Sequence, residues 1–216
     1  MKVSPLVLAA PSGAGKTTIA RRLVDQDDRF VFSISATTRP ARSGETDGAD
    51  YHFLDDAAFE AMIEAGELAE WAKVHDRYYG TPVAEIEAAA AEGRFVVLDI
   101  DVQGAEQIRA AMPDAVLVFV LPPSVDQLMK RLTGRGTEAP GEVARRLRSA
   151  LDELQAAPDF DHLVVNDDLD RCVDEVRSFM LDAGSGKAGA VPLENLEVFR
   201  AGIAGILERQ FADATK

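Results

Sequence analysis

The sequence predicts an α/β fold in which a parallel sheet carries helices on both faces and an inserted subdomain interrupts the regular order. Three observations predict it. Short apolar runs of strand length recur along the 216 residues, segments with helical spacing lie between them, and a glycine-rich loop ending in Lys-Thr joins the first run to the first helix. Strands that alternate with helices in this way imply parallel pairing, with both faces of the sheet covered.

Taken in order, the strand runs are PLVLAA (5–10), FVFSISA (30–36), RFVVLDI (94–100), AVLVFVL (115–121) and HLVVN (162–166). The helical segments are 16–25, 56–65, 83–92, 103–112, 124–133, 141–155 and 168–182. The rhythm breaks twice. Between residues 36 and 82 the strands become weak and the loops longer, which predicts an insertion; TGRGTEAPG (133–141) is a polar, glycine-containing interruption between two helical stretches. Ligands in such folds sit beyond the C-terminal ends of the strands, where insertions can cover them, so both breaks are candidate substrate elements. After residue 183 the composition turns to GSGKAGA, a linker by content. The segment that follows, within 192–216, repeats Leu193, Leu196, Phe199, Ile203, Ile206 and Leu207 at helical intervals. That stripe must be buried, either on its own domain or on a second copy in a homo-oligomer.

Acidic residues outnumber basic ones 37 to 23, and the formal charge of −14 argues against broad binding to nucleic acid or to an anionic membrane. Any anion site is therefore local. A single cysteine, Cys172, leaves no internal disulfide, reads as a small buried residue on a helix and fits a reducing compartment. The N-terminal apolar run is too short for a signal segment or a membrane span, so the cytoplasm is the expected location. His52, His75 and His162 show no metal-ligand spacing with one another or with Cys172, and no metal held by thiolate or imidazole is expected.

The chemistry begins at APSGAGKTT (10–18), which follows the first strand and opens the first helix. Glycines let successive N–H groups and a helix N-terminus surround phosphate oxygens. Lys16 is placed to reach the β- and γ-phosphates of a nucleoside triphosphate, and the Thr17 hydroxyl to ligate Mg²⁺. Ala10 stands where the strict pattern has its first glycine, which leaves the backbone at the loop's entrance open. At the end of RFVVLDID, alternate spacing puts Asp99 and Asp101 on one strand face, where a carboxylate can hold Mg²⁺ directly or through water; the alternative is a cap for the following helix.

Basic residues concentrate in two places. Lys130, Arg131, Arg135, Arg145, Arg146 and Arg148 face only Glu138 and Glu142 over the same stretch, and Gly134 and Gly136 flank Arg135. A segment of this kind can bring Arg135 and Arg146 to a transferring phosphoryl group; its alternative is a solvated helix face. Arg39 and Arg42, with Tyr51, Ser35, Thr37 and Thr38, make a second anion cup, unless the arginines pair with Glu45, Asp47 or Asp50.

The blocks SGAGKTT, SATTRPARSGETDGADYHF, FEAMIEAGELAEWAKVHDRYYGT, VVLDIDVQGA, VFVLPPS, KRLTGRGTE and VVNDDLD occur in order between about residue 4 and residue 182, and together they resemble the guanylate kinases. The resemblance implies a P-loop fold of three αβα layers with a parallel sheet core, a GMP-binding insertion and a mobile lid. In these terms residues 1–183 form the kinase-like domain, with 36–82 the insertion and 133–146 the lid, followed by a linker (184–191) and the C-terminal helix (192–216). The implied activity is phosphorylation of GMP, and of dGMP, by Mg·ATP in purine nucleotide salvage and recycling, without a general base. Residue by residue, the resemblance assigns Arg39, Arg42, Glu45, Tyr51 and Tyr79 to the GMP phosphate side and Ser35, Glu70, Thr81 and Asp101 to guanine. It assigns Ser12, Gly13, Ala14, Gly15, Lys16, Thr17 and Thr18 to the ATP phosphates, Arg131, Arg135 and Arg146 to the lid, and Asn166 to the neighbourhood of adenine. Lys16, Arg39, Arg135 and Arg146 carry the implied catalysis, with Thr17 and Asp99 toward the metal. Two departures stand out: RPAR has its proline one place earlier than in some members, and Arg77 stands where asparagine is common.

Overall fold

The computed structural model describes residues 3–74, 76–134, 140–181 and 193–211. The elements run β1 (Leu6–Ala9), α1 (Lys16–Gln26), β2 (Phe30–Phe32), β3 (Ala36–Thr37), β4 (His52–Phe53), α2 (Asp56–Ala65), β5 (Leu68–Val74), β6 (Arg77–Pro82), α3 (Val83–Ala91) and β7 (Phe95–Asp99). They continue with α4 (Val102–Ala111), β8 (Val116–Leu121), α5 (Val125–Leu132), α6 (Pro140–Gln155), β9 (His162–Val165), α7 (Leu169–Leu181) and α8 (Leu193–Gln210). Five strands form a parallel sheet in the order β2-β7-β1-β8-β9. Leu6, Val7, Leu8 and Ala9 are fully buried, and residues 117–121 of β8 are no more than 3% exposed. Unbroken burial is what a sheet covered on both faces demands, which is why these strands read as continuous apolar runs.

The chain divides into two compact units, one of Met1–Val7 and Ala20–Val116, the other of Leu8–Ile19 and Leu117–Lys216. The first contains a second sheet, ordered β4-β3-β6-β5, which occupies the insertion expected between residues 36 and 82. Its β5/β6 ladder is antiparallel with Trp71 opposite Gly80, and α2 packs beside it: Phe59 is fully buried and stacks on Tyr78 at 5.1 Å. Asp55 starts α2 by accepting the Ala58 N–H, and Gly66 ends it in the left-handed region. One expected strand divides. FVFSISA was read as a single run, but β2 ends at Phe32, the Ser33 N–H makes a last bond to Val97 O, and Ala36 pairs instead with His52 and Gly80 of the other sheet. Apolar content does not mark where a strand changes partners.

In the second unit, Ser124 caps α5 by accepting the Gln127 N–H. Helix α7 buries Cys172, Val173, Val176 and Met180, and burial pushes the Cys172 thiol up to about 12, the inert structural residue that was expected. Helix α8 packs against α6 and α5 of its own chain and buries Leu196, Ile203 and Ile206, so the first of the two alternatives for its stripe is the one observed. The linker at 184–191, His75 and Arg135 lie outside the described residues. No helix among the described residues is long and apolar enough to cross a membrane.

Candidate active site

Residues 10–15 carry the chain from β1 into α1. Gly13 and Gly15 have φ of +86° and +96°, and a Cβ on Gly15 would lie 2.4 Å from Asn166 Nδ2, so both backbone and space require glycine there. Among the described residues Asp76 is the only non-glycine with a positive φ; Ala10 therefore has a backbone that tolerates a side chain, and its departure from the strict pattern costs the loop nothing in conformation. Lys16, Thr17 and Thr18 form the first turn of α1, which puts the positive end of the helix behind the loop.

Side chains from the C-terminal part of the second unit hold this loop from outside. Arg131 Nη1 donates to Gly13 O (3.2 Å) and Ala14 O (2.9 Å), and Asn166 Nδ2 donates to Ala14 O (2.8 Å). Arg146 donates through Nη2 to Ser12 Oγ and through Nη1 to Leu132 O, both at 3.1 Å. The Ser12 N–H donates to Glu153 Oε2 at 3.3 Å. Donors thus engage the loop's carbonyls and leave the helix N-terminus as its anion-facing feature. Asn166, only 7% exposed, is a strut of the loop in this structure. Glu153 was missed in the sequence; its signal is its place seven residues after Arg146, two turns along the same face of α6.

In the first unit, the Arg39 guanidinium and Glu45 form a two-bond pair, Nη1 to Oε2 and Nη2 to Oε1, each at 2.9 Å. Nη1 also donates to Pro40 O at 2.7 Å, and the guanidinium lies 5.2 Å from the centroid of Tyr51. The hydrogen bond to Arg39, with a second from the Arg42 N–H, holds the Glu45 carboxyl below its usual range; the same bond raises Arg39. Of the three acids weighed as partners for this arginine, the structure selects Glu45, while Asp50 pairs with Arg21 and Asp47 accepts the Phe53 N–H. Tyr51 packs edge-on to Tyr79 at 6.3 Å; its hydroxyl is raised by burial first and by the charge of Asp99 second. The Arg42 side chain is exposed, and the Ser35 carbonyl accepts the His52 N–H. Arg77 Nη1 donates to Thr38 O at 3.3 Å, which ties β6 to the arginine loop and accounts for that departure structurally.

A buried polar cluster sits where β5, β6 and α4 meet. Glu70 is 5% exposed and Thr81 fully buried, and Thr81 Oγ1 donates to Glu70 Oε1 at 2.6 Å. Glu70 Oε2 lies against Gly104, whose N–H donates to Asp101 Oδ1 at 2.8 Å. Asp101 is the N-cap of α4 and lies outside the strand, because β7 ends at Asp99. The expectation that Asp99 and Asp101 share a strand face is thereby corrected: the helix starts at Val102, and its exposed N–H groups claim the carboxylate. Glu70 and Thr81 are thus bonded to each other, and Gly104 stands between Glu70 and Asp101, although Glu70, Thr81 and Asp101 lie on three elements. Gln107, unnoticed in the sequence, locks α4 to β5 by accepting the Trp71 N–H (3.1 Å) and donating to Trp71 O (2.9 Å).

Loop, lysine and helix N-terminus make this a P-loop protein, and the first unit carries an arginine–tyrosine cup and a buried carboxylate of its own. The comparisons agree. The family model described as guanylate kinase matches residues 2–183. The guanylate kinase of Nitratidesulfovibrio vulgaris is 51% identical over 177 residues, covering 82% of this chain and 86% of that one. That of Symbiobacterium thermophilum is 45% identical over 193 residues, covering 88% and 92%. A solved structure of guanylate kinase from Anaplasma phagocytophilum matches with a TM-score of 0.68 at 29% identity, over 97% of this chain and 96% of that one. The chain belongs to the guanylate kinase family and is an enzyme of that class. Helix α8 lies beyond the residues that the family model matches.

Proposed function

We propose that this chain transfers the γ-phosphoryl group of Mg·ATP to GMP, and to dGMP, in the recycling of purine nucleotides. The observation that carries the reading is the Glu70 carboxylate, buried and already bonded by Thr81. A buried carboxylate is costly unless donors satisfy it. Guanine brings N1–H and N2–H₂ to such a group, whereas adenine presents an unprotonated N1 at the equivalent place, and a site that leaves buried polar groups unpaired with the wrong base can discriminate by about 10⁴. Asp101 supplies a second carboxylate near the same point, and Ser35 a hydroxyl for O6.

The acceptor phosphate goes to Arg39, Arg42, Tyr51 and Tyr79. Glu45 and Pro40 O engage three of the five guanidinium donors of Arg39, so Glu45 acts as a positioning residue that orients the fork before substrate arrives. The second pKa of a phosphate monoester is about 6, so the attacking oxygen is already ionised at neutral pH and needs no general base. Residues 12–18 take the ATP phosphates, Lys16 and Arg146 stabilise the charge that spreads in the transition state, and Arg131 and Asn166 keep the loop in shape. Arg135 belongs to the same proposal as a lid arginine.

Among the described residues no three His, Cys, Asp or Glu side chains gather as a metal cage. Thr17 in the first turn of α1 and Asp99 at the end of β7 are hard oxygen donors of the kind that Mg²⁺ takes while keeping waters and phosphate oxygens as most of its ligands. Bound with ATP, the ion neutralises charge on the β- and γ-phosphates. The test is ADP release with ATP, Mg²⁺ and a panel of nucleoside monophosphates. GMP and dGMP are expected to be the efficient acceptors; turnover with AMP equal to that with GMP sinks the base assignment.

A further inference from the structure

Gly104 stands at the third position of α4 and is buried. A Cβ built there would lie 2.6 Å from Glu70 Oε2, 3.1 Å from Glu70 Cδ and 3.3 Å from Ile100 Cδ1. No side-chain atom fits that space while the carboxylate remains where it is. The carboxylate is not free to retreat without loss, since Thr81 holds its other oxygen at 2.6 Å and the group is 5% exposed. The α4 backbone therefore acts as a wall that sets the depth of the Glu70 carboxylate, and the helix N-terminus behind that wall favours its negative charge.

We propose that Gly104 is a specificity-determining residue for the acceptor base: its bare Cα admits the Glu70 carboxylate to the position in which Thr81 holds it before guanine binds. This rests on the reading that Glu70 faces guanine. The glycine is not needed for conformation, because its φ is an ordinary helical one and alanine favours helices more than glycine does. The contact that alanine disturbs is the far end of a side chain, so Gly104→Ala folds and the damage falls on the position of the carboxylate. Base recognition weakens, and ATP use does not.

Steady-state kinetics on the full chain test this with five proteins: wild type, Gly104→Ala, Glu70→Asp, the double variant of these two, and Glu70→Ala. Gly104→Ala is expected to raise the KM for GMP by about tenfold or more and to narrow the preference for GMP over IMP, which lacks the 2-amino donor, with the KM for ATP unchanged. Glu70→Asp withdraws the carboxylate by one methylene, so in that background adding Gly104→Ala should cost less than about threefold. Equal costs in the two backgrounds, or a wild-type KM for GMP in Gly104→Ala, overturn the inference. If Gly104→Ala also lowers the melting temperature, restoration by Glu70→Asp supports the same contact, and a failure to restore it counts against it. Glu70→Ala separates the two layers. A large rise in its KM for GMP beside an inert Gly104→Ala leaves the base reading standing and removes this inference; no rise for Glu70→Ala removes the base reading itself.

Discussion

Replacing Thr81 by valine keeps the shape of the side chain and deletes one donor from the Glu70 carboxylate. The bond lost is a charge-assisted O–H to carboxylate contact of 2.6 Å between a fully buried group and one 5% exposed, so water cannot replace it. Hydrogen bonds to charged groups contribute about 1.5–3 kcal/mol, and this geometry belongs in the upper half of that range. For a chain of this size 1 kcal/mol corresponds to about 2–4 °C, so Thr81→Val should melt about 5–12 °C below wild type. Thermal unfolding followed by circular dichroism at pH 7 measures it, with the KM for GMP rising alongside. Glu70→Gln supplies the control: an amide loses less than a carboxylate when its donor disappears, so the cost of Thr81→Val should shrink in that background. A melting temperature within about 2 °C of wild type and an unchanged KM for GMP would refute the reasoning, since the buried pair would then contribute neither to stability nor to the base site.

The remaining tests probe the phosphate cup, the loop and the tail. Because the Glu45 carboxyl is held below its usual range by Arg39, the pair is intact above the ordinary glutamate pKa of about 4.3 and is lost as pH falls through the lower folded value. The stability gap between wild type and Glu45→Gln should be constant from about pH 5 to 8 and close as the pH falls below the ordinary glutamate pKa; a gap that persists in acid contradicts the assignment. Glu153→Ala removes the acceptor of the Ser12 N–H and should raise the KM for ATP about three- to tenfold with that for GMP unchanged. Equal rises in both would mean that the change is general rather than local to the loop. Removing residues 193–216 uncovers the surfaces of α6 and α5 that Leu196 and Ile203 cover, and should lower the melting temperature by more than about 5 °C. Molar mass by light scattering should correspond to the same number of chains with and without the tail, and a loss of chains on truncation would support the oligomer reading instead.

Much of the fold was legible in the sequence because its elements are set locally. Expected helices at 16–25, 56–65 and 83–92 match Lys16–Gln26, Asp56–Ala65 and Val83–Ala91 to within a residue, because periodic apolar faces and caps such as Asp55 and Ser124 act over one or two turns. The phosphate loop was legible for the same reason: strand, glycines, lysine and helix start are neighbours in the chain.

What only the tertiary structure decided are choices among partners far apart in sequence. Which acid pairs with Arg39, where FVFSISA changes sheets, and that Asp101 caps a helix instead of ending a strand all depend on groups brought near by the rest of the chain. The contacts of Ser12 with Glu153 and of Ala14 with Arg131 and Asn166 span 141, 117 and 152 residues. Local sequence encodes propensity and periodicity, but burial creates the demand for a hydrogen-bond partner, and burial exists only once the chain has folded. The same holds at Gly104, where the sequence shows a glycine and only the packed structure shows the carboxylate that occupies the space a side chain would fill.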